Sequence, residues 1–104
     1  MKISVIEMQN TALSQLSTEI AYTVASCRAQ GNTFLKITYS SAVSSVRSNI
    51  LKVLKNMLKK GIIKLYIEEW EYYGSSREAQ YLRNKHPDLA DVCDRDGQGI
   101  LVRL

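Results

Sequence analysis

Ile3 and Val5 on one face, with Ile6 and Met8 on the other, make residues 2–8 a short extended segment that is apolar on both sides. That pattern predicts a strand inside a covered sheet. The period then changes. Leu13, Leu16, Ile20, Val24 and Cys27 recur at intervals of three and four, which places them on one stripe of a helix. Asn10 and Thr11 supply side-chain oxygens suited to its N-cap, and Gly31 and Asn32 tolerate the left-handed backbone that ends helices. Phe34 to Tyr39 is aromatic and β-branched over one strand length, and Ser40, Ser41 and Ala42 form a small turn after it.

A second long helix is predicted to begin near Ser44 or Ser45. At about 100° per residue, Val46, Ile50, Val53, Leu54, Met57 and Leu58 gather on one side and Lys52, Lys55 and Lys59 on the other. Gly61 stops it. Ile62 to Ile67 reads as a third strand, and residues 68–74 as an acidic, aromatic loop containing Trp70, Tyr72 and Tyr73. Ser75 or Ser76 caps a short helix with Ala79 and Leu82, which ends near His86 because Pro87 disfavours helical geometry in the residue before it. Residues 94–99 read as a turn and Ile100 to Leu104 as a final strand. The order is strand, helix, strand, helix, strand, short helix, strand, an α/β alternation that implies mainly parallel pairing.

The 104 residues suit one domain, and 45% apolar with 23% charged residues is a composition that folds. The first residues hold too short an apolar run for a secretion signal, and no stretch approaches the roughly 20 apolar residues of a membrane span. A cytoplasmic protein without membrane contact is expected. Cys27 and Cys93 are far apart and neither lies in a Cys-x-x-Cys pair, so they read as buried free thiols of a reducing compartment. The net charge of +4 favours a polyanionic partner without requiring one.

His86 is the single histidine, so the chain cannot build a two-histidine metal site, and its place beside Pro87 at a helix end reads as structural. Asp91, Asp94 and Asp96 before Gly97 suggest a calcium loop, but in that register Val92 would stand first and Arg103 twelfth, where acids are required. Ser40, Ser41, Ser44 and Ser45 lie where a helix N-terminus can hold a phosphate, without the glycines and lysine of a Walker loop. Lys52, Lys55 and Lys59 are either a solvated helix face or contacts to phosphates. Trp70, Tyr72 and Tyr73 suit a lid or an interface with a protein partner or second copy, because the adjacent glutamates oppose a phosphate backbone.

Two strand ends bring a family into view. Glu7-Met8-Gln9-Asn10 closes the first strand, and Tyr39-Ser40-Ser41-Ala42 closes the second, with Arg47 early in the following helix. This layout resembles the Smr (small MutS-related) domain, whose strands end in Asp-Leu-His-Gly and His-Gly-x-Gly before a helix that opens with a basic residue. Lys64, Glu69-Trp70, His86-Pro87-Asp88-Leu89, the aspartate-rich turn and Gly99-Ile100 extend the likeness to the last strand. The resemblance implies a two-layer α/β sandwich with a mixed four-stranded sheet whose last strand runs antiparallel. It also implies binding of DNA or RNA, here through Gln9, Asn10, Tyr39, Ser40, Ser41, Arg47, Lys52, Lys55 and Lys59.

The departures bear on catalysis. Gln9 can only hydrogen-bond and Tyr39 titrates near pH ~10, so proton transfer at the two histidine positions is lost. Glu7 keeps a carboxylate where the family has aspartate. The expectation is a non-cleaving relative that needs no cofactor; a divergent nuclease using Glu7 and magnesium is the alternative.

Overall fold

The computed structural model describes residues 2–40, 44–93 and 99–104. Strand β1 (Ile3–Glu7) leads into helix α1 (Leu13–Ala29), strand β2 (Phe34–Thr38) and helix α2 (Ser44–Lys59). Strand β3 (Leu65–Glu68) is followed by a 3₁₀ helix (Glu69–Tyr73), helices α3 (Arg77–Lys85) and α4 (Leu89–Cys93), and strand β4 (Gly99–Arg103). The sheet order is β1-β2-β4-β3. β1 pairs parallel with β2, while β4 pairs antiparallel with both β2 and β3.

The mixed sheet and the antiparallel last strand are as expected. The mainly parallel pairing is not: β1, β2 and β3 share a direction, yet β4 inserts between β2 and β3 and leaves one parallel contact. Its composition explains the central place. Ile100, Leu101 and Val102 are all buried, apolar on both faces, whereas an edge strand exposes one side.

Leu35, Ile37, Ile100 and Val102 face α1 and α2, which form the helical layer of the sandwich with Leu16, Ile20, Ile50 and Leu54 fully buried. Phe34, Ile67 and Leu101 face the other way, under a cover made by the 3₁₀ helix, α3 and α4. Both long helices end in the same way. Gly31 and Gly61 take positive φ and donate to the carbonyls of Arg28 and Leu58, and the next N–H (Asn32, Ile62) returns to those of Cys27 and Met57.

Four local expectations change. α1 starts at Leu13 with Ala12 as an N-cap that offers no side-chain bond, because Asn10 is engaged elsewhere. β3 starts at Leu65, since Ile62 and Ile63 close α2's end and Ile63 turns into the core. Residues 69–73 are a 3₁₀ helix, not a loop, fixed by a capping box between Glu68 and Glu71. α4 was not anticipated, its five residues being too few to show a period. Ser76 caps α3 by accepting from the Ala79 N–H at 3.1 Å, as expected. The turn at 94–98 and the Ser41-Ala42 pair lie outside the described residues. Among the described residues, no helix is long and apolar enough to cross a membrane.

Candidate functional site

The parallel strands β1, β2 and β3 deliver their last residues to one edge of the sheet, where open α/β folds place ligand sites. A cleft of about 410 Å³ opens there, lined by Tyr39, Arg47, Glu68, Trp70 and Tyr73 among others. Tyr39 follows β2, Arg47 projects from the first turn of α2, and Glu68 ends β3.

Arg47 does not wait for a ligand. Its guanidinium forks onto Glu68, Nε to Oε1 at 2.5 Å and Nη2 to Oε2 at 2.6 Å, a bidentate pairing that uses its most directional donors. The first strand end is filled in a similar manner. The Glu19 carboxylate accepts the backbone N–H of Gln9 at 3.0 Å and of Asn10 at 3.1 Å, together with the Asn10 side-chain amide at 3.1 Å. Burial raises the Glu19 pKa, but those three hydrogen bonds outweigh it and hold the group below its ordinary value. At both strand ends, then, a carboxylate of the chain itself takes up donors of residues expected to contact nucleic acid: Gln9 and Asn10 at the first, Arg47 at the second.

Beneath the cleft lies a feature that composition hid. Lys36, in the middle of β2, is 0% exposed. Its Nζ donates to the Val92 carbonyl at 3.0 Å and stands 2.6 Å from Glu69 Oε2, so a charge buried in the sheet ties down both α4 and the 3₁₀ helix. The signal was present in the sequence: a lysine at the centre of a strand whose neighbours are all core residues needs a buried partner. The pairing also offsets the Glu69 charge.

Of the three rings expected at an interface, Tyr72 is 2% exposed and belongs to the core, its hydroxyl donating to the His86 and Pro87 carbonyls at 3.2 and 3.3 Å. Trp70 and Tyr73, at 70% and 56% exposure, are the rings that reach solvent. Glu7 and Ser40 are exposed at their strand ends. Among the described residues, no group of three His, Cys, Asp or Glu side chains converges as a metal site would. Lys52, Lys55 and Lys59 are exposed on α2, a helix without a single acidic residue, and none of them forms an ion pair among the described residues.

Burial raises the Tyr39 phenol above its usual value near 10, opposed by Arg47 and reinforced by Glu68 and Glu69. Tyr72 is raised as well, by burial and then by Cys93 and Asp88. Both are neutral hydroxyls at physiological pH. Above pH ~10 the unfolded chain loses these protons while the folded chain retains them, so stability is expected to fall as pH rises through the folded values. Phenolate absorbance titration checks this; two tyrosines titrating only above the range of the exposed ones is the expected outcome, and uniform titration near the ordinary value would contradict it.

The chain matches no protein-family model, no curated protein and no solved structure.

Proposed function

We propose that the domain binds nucleic acid through its phosphates and does not cut it, using the basic face of α2 in place of the strand-end cleft. One observation carries this: Lys52, Lys55 and Lys59 stand exposed and, among the described residues, unpaired on a helix free of acids, while Arg47 in the cleft is engaged by Glu68. Lysines spaced by three and four residues follow one side of the helix and can meet successive phosphates without reading bases. The antiparallel last strand is in keeping with the Smr resemblance, and the lost histidines with an absence of cleavage.

Fluorescence anisotropy of labelled DNA and RNA across a salt series tests the binding. Each lysine that contacts a phosphate contributes roughly one unit to the slope of log affinity against log salt, so K52Q/K55Q/K59Q is expected to lower that slope by about 3. No binding to either nucleic acid at low salt would sink the proposal. Incubation with magnesium is expected to leave the strand intact, and cleavage abolished by Glu7→Ala would overturn the non-cleaving part.

A further inference from the structure

The opposite edge of the sheet has the reverse character. α1 and α2 run back from the carboxyl ends of the strands and finish at the amino edge, at Gly31 and Gly61. A second cavity of about 470 Å³ lies there, lined by Arg28, Asn32, Thr33, Phe34, Lys64, His86, Arg103 and the last residue, Leu104, none of whose side chains is acidic. Arg28 comes from the last turn of α1, Lys64 leads into β3, and Arg103 ends β4 opposite both Phe34 and Leu65. None of these three cations is ion-paired among the described residues.

Aromatic contacts hold the walls. The His86 ring meets Phe34 edge-on at 4.8 Å, and the Arg103 guanidinium lies 5.3 Å from the centroid of Tyr81, which itself stands 6.2 Å from His86. A cation stacked on a ring keeps its in-plane N–H donors free for an anion. Asn32, 6% exposed, gives its amide N–H to Ser4 Oγ at 3.0 Å, and its buried Oδ1 has no donor among the described residues.

The bland account of these cations is that they offset the negative ends of two helices. Much of that duty is already met: Lys2 Nζ donates to the Gln30 carbonyl at 2.5 Å, and the glycine turns satisfy the carbonyls of Cys27, Arg28, Met57 and Leu58. A helix end amounts to roughly half a charge that fades within one turn, against three full positive charges around a partly apolar cavity.

We propose that this cavity binds a phosphate group, held by Arg28, Lys64 and Arg103, with His86 supplying a further hydrogen bond. The phosphate can belong to a small molecule or to a nucleic-acid strand; in the second case the site extends the function proposed above, and in the first it stands without it.

Nuclear magnetic resonance of the whole chain at low ionic strength tests the site, with inorganic phosphate, a 5′-phosphorylated dinucleotide and its unphosphorylated twin as probes. Saturable shifts of the His86 imidazole and Arg103 guanidinium signals are expected with the phosphorylated probes. They should weaken roughly tenfold or more in R28Q/K64Q, two exposed positions whose change leaves the fold intact. K52Q/K55Q/K59Q should leave binding of inorganic phosphate unchanged, which separates this site from the α2 face. Equal response to inorganic phosphate and the dinucleotide identifies a small-molecule phosphate site, and response to the dinucleotide alone identifies a strand. Silence at His86 with every phosphorylated probe overturns the proposal, as do shifts that R28Q/K64Q leaves unchanged.

Discussion

Replacing Lys36 with methionine is expected to cost about 3 kcal/mol of folding stability, the lower end of the range for breaking a buried ion pair. Methionine fills nearly the same volume, so the loss isolates the charge. Glu69 would be left facing an apolar core with no counter-ion, and the Val92 carbonyl would lose its donor. The lower end applies because the Glu69 side chain keeps 16% exposure and can recover some hydration. For a chain of this size the change lowers the melting temperature by roughly 4–8 °C per kcal/mol. The double variant K36M/E69L should recover most of the loss, since a matched apolar pair carries no desolvation penalty. Equal stability of K36M and the parent in urea unfolding would show that the pair does not hold the 3₁₀ helix to the sheet.

Gly99→Ala is expected to be nearly as damaging, at about 1–3 kcal/mol, through overpacking. A Cβ at this position would stand 2.7 Å from the Ile37 carbonyl oxygen and 2.8 Å from Lys36 Cε. The carbonyl is fixed by the β2–β4 ladder, where Thr38 faces Gly99, so it cannot yield. The lysine stem passes directly over the glycine, which makes Gly99 part of the same arrangement as the buried charge. In a Lys36→Ala background only the carbonyl contact remains, and Gly99→Ala should cost less there than in the parent. A double-mutant cycle by urea unfolding measures the difference. Full additivity, or a neutral Gly99→Ala, would contradict this account of why the last strand opens on glycine.

These two residues mark the boundary of what the chain discloses by pattern. α1 and α2 were legible because their apolar stripes repeat over several turns and each ends on a glycine. The position of β4 was not, because Ile100 to Val102 is apolar on both faces in any interior slot and periodicity is silent on strand order. Its antiparallel direction came from the likeness to a family. The 3₁₀ helix was hidden because Glu68 and Glu71 look like surface acids until their capping bonds to the backbone are seen.

The site was legible in its addresses and not in its contents. Tyr39 and Arg47 do line one cleft, as the second strand end implied, but the 68–73 segment joins them there in place of Gln9 and Asn10 from the first strand end. What no spacing rule could supply is that Glu19 reaches back nine and ten residues to fill the first strand-end loop, or that Glu68 crosses twenty-one residues to claim Arg47. Long-range carboxylates occupy both positions, which is why the proposed phosphate contacts lie on α2. Tyr72 fell to the core for a related reason: its ring covers the sheet while its hydroxyl serves the turn at His86 and Pro87.

Salt-dependent anisotropy with three proteins, the parent, K52Q/K55Q/K59Q and Arg47→Gln, tests the central claim most directly, because it asks which surface meets the phosphates. The account predicts that the triple variant loses about 3 units of slope and most of its affinity at low salt, whereas Arg47→Gln keeps the parent slope. Loss of binding in Arg47→Gln with the triple variant unaffected would return the interface to the cleft and contradict the account.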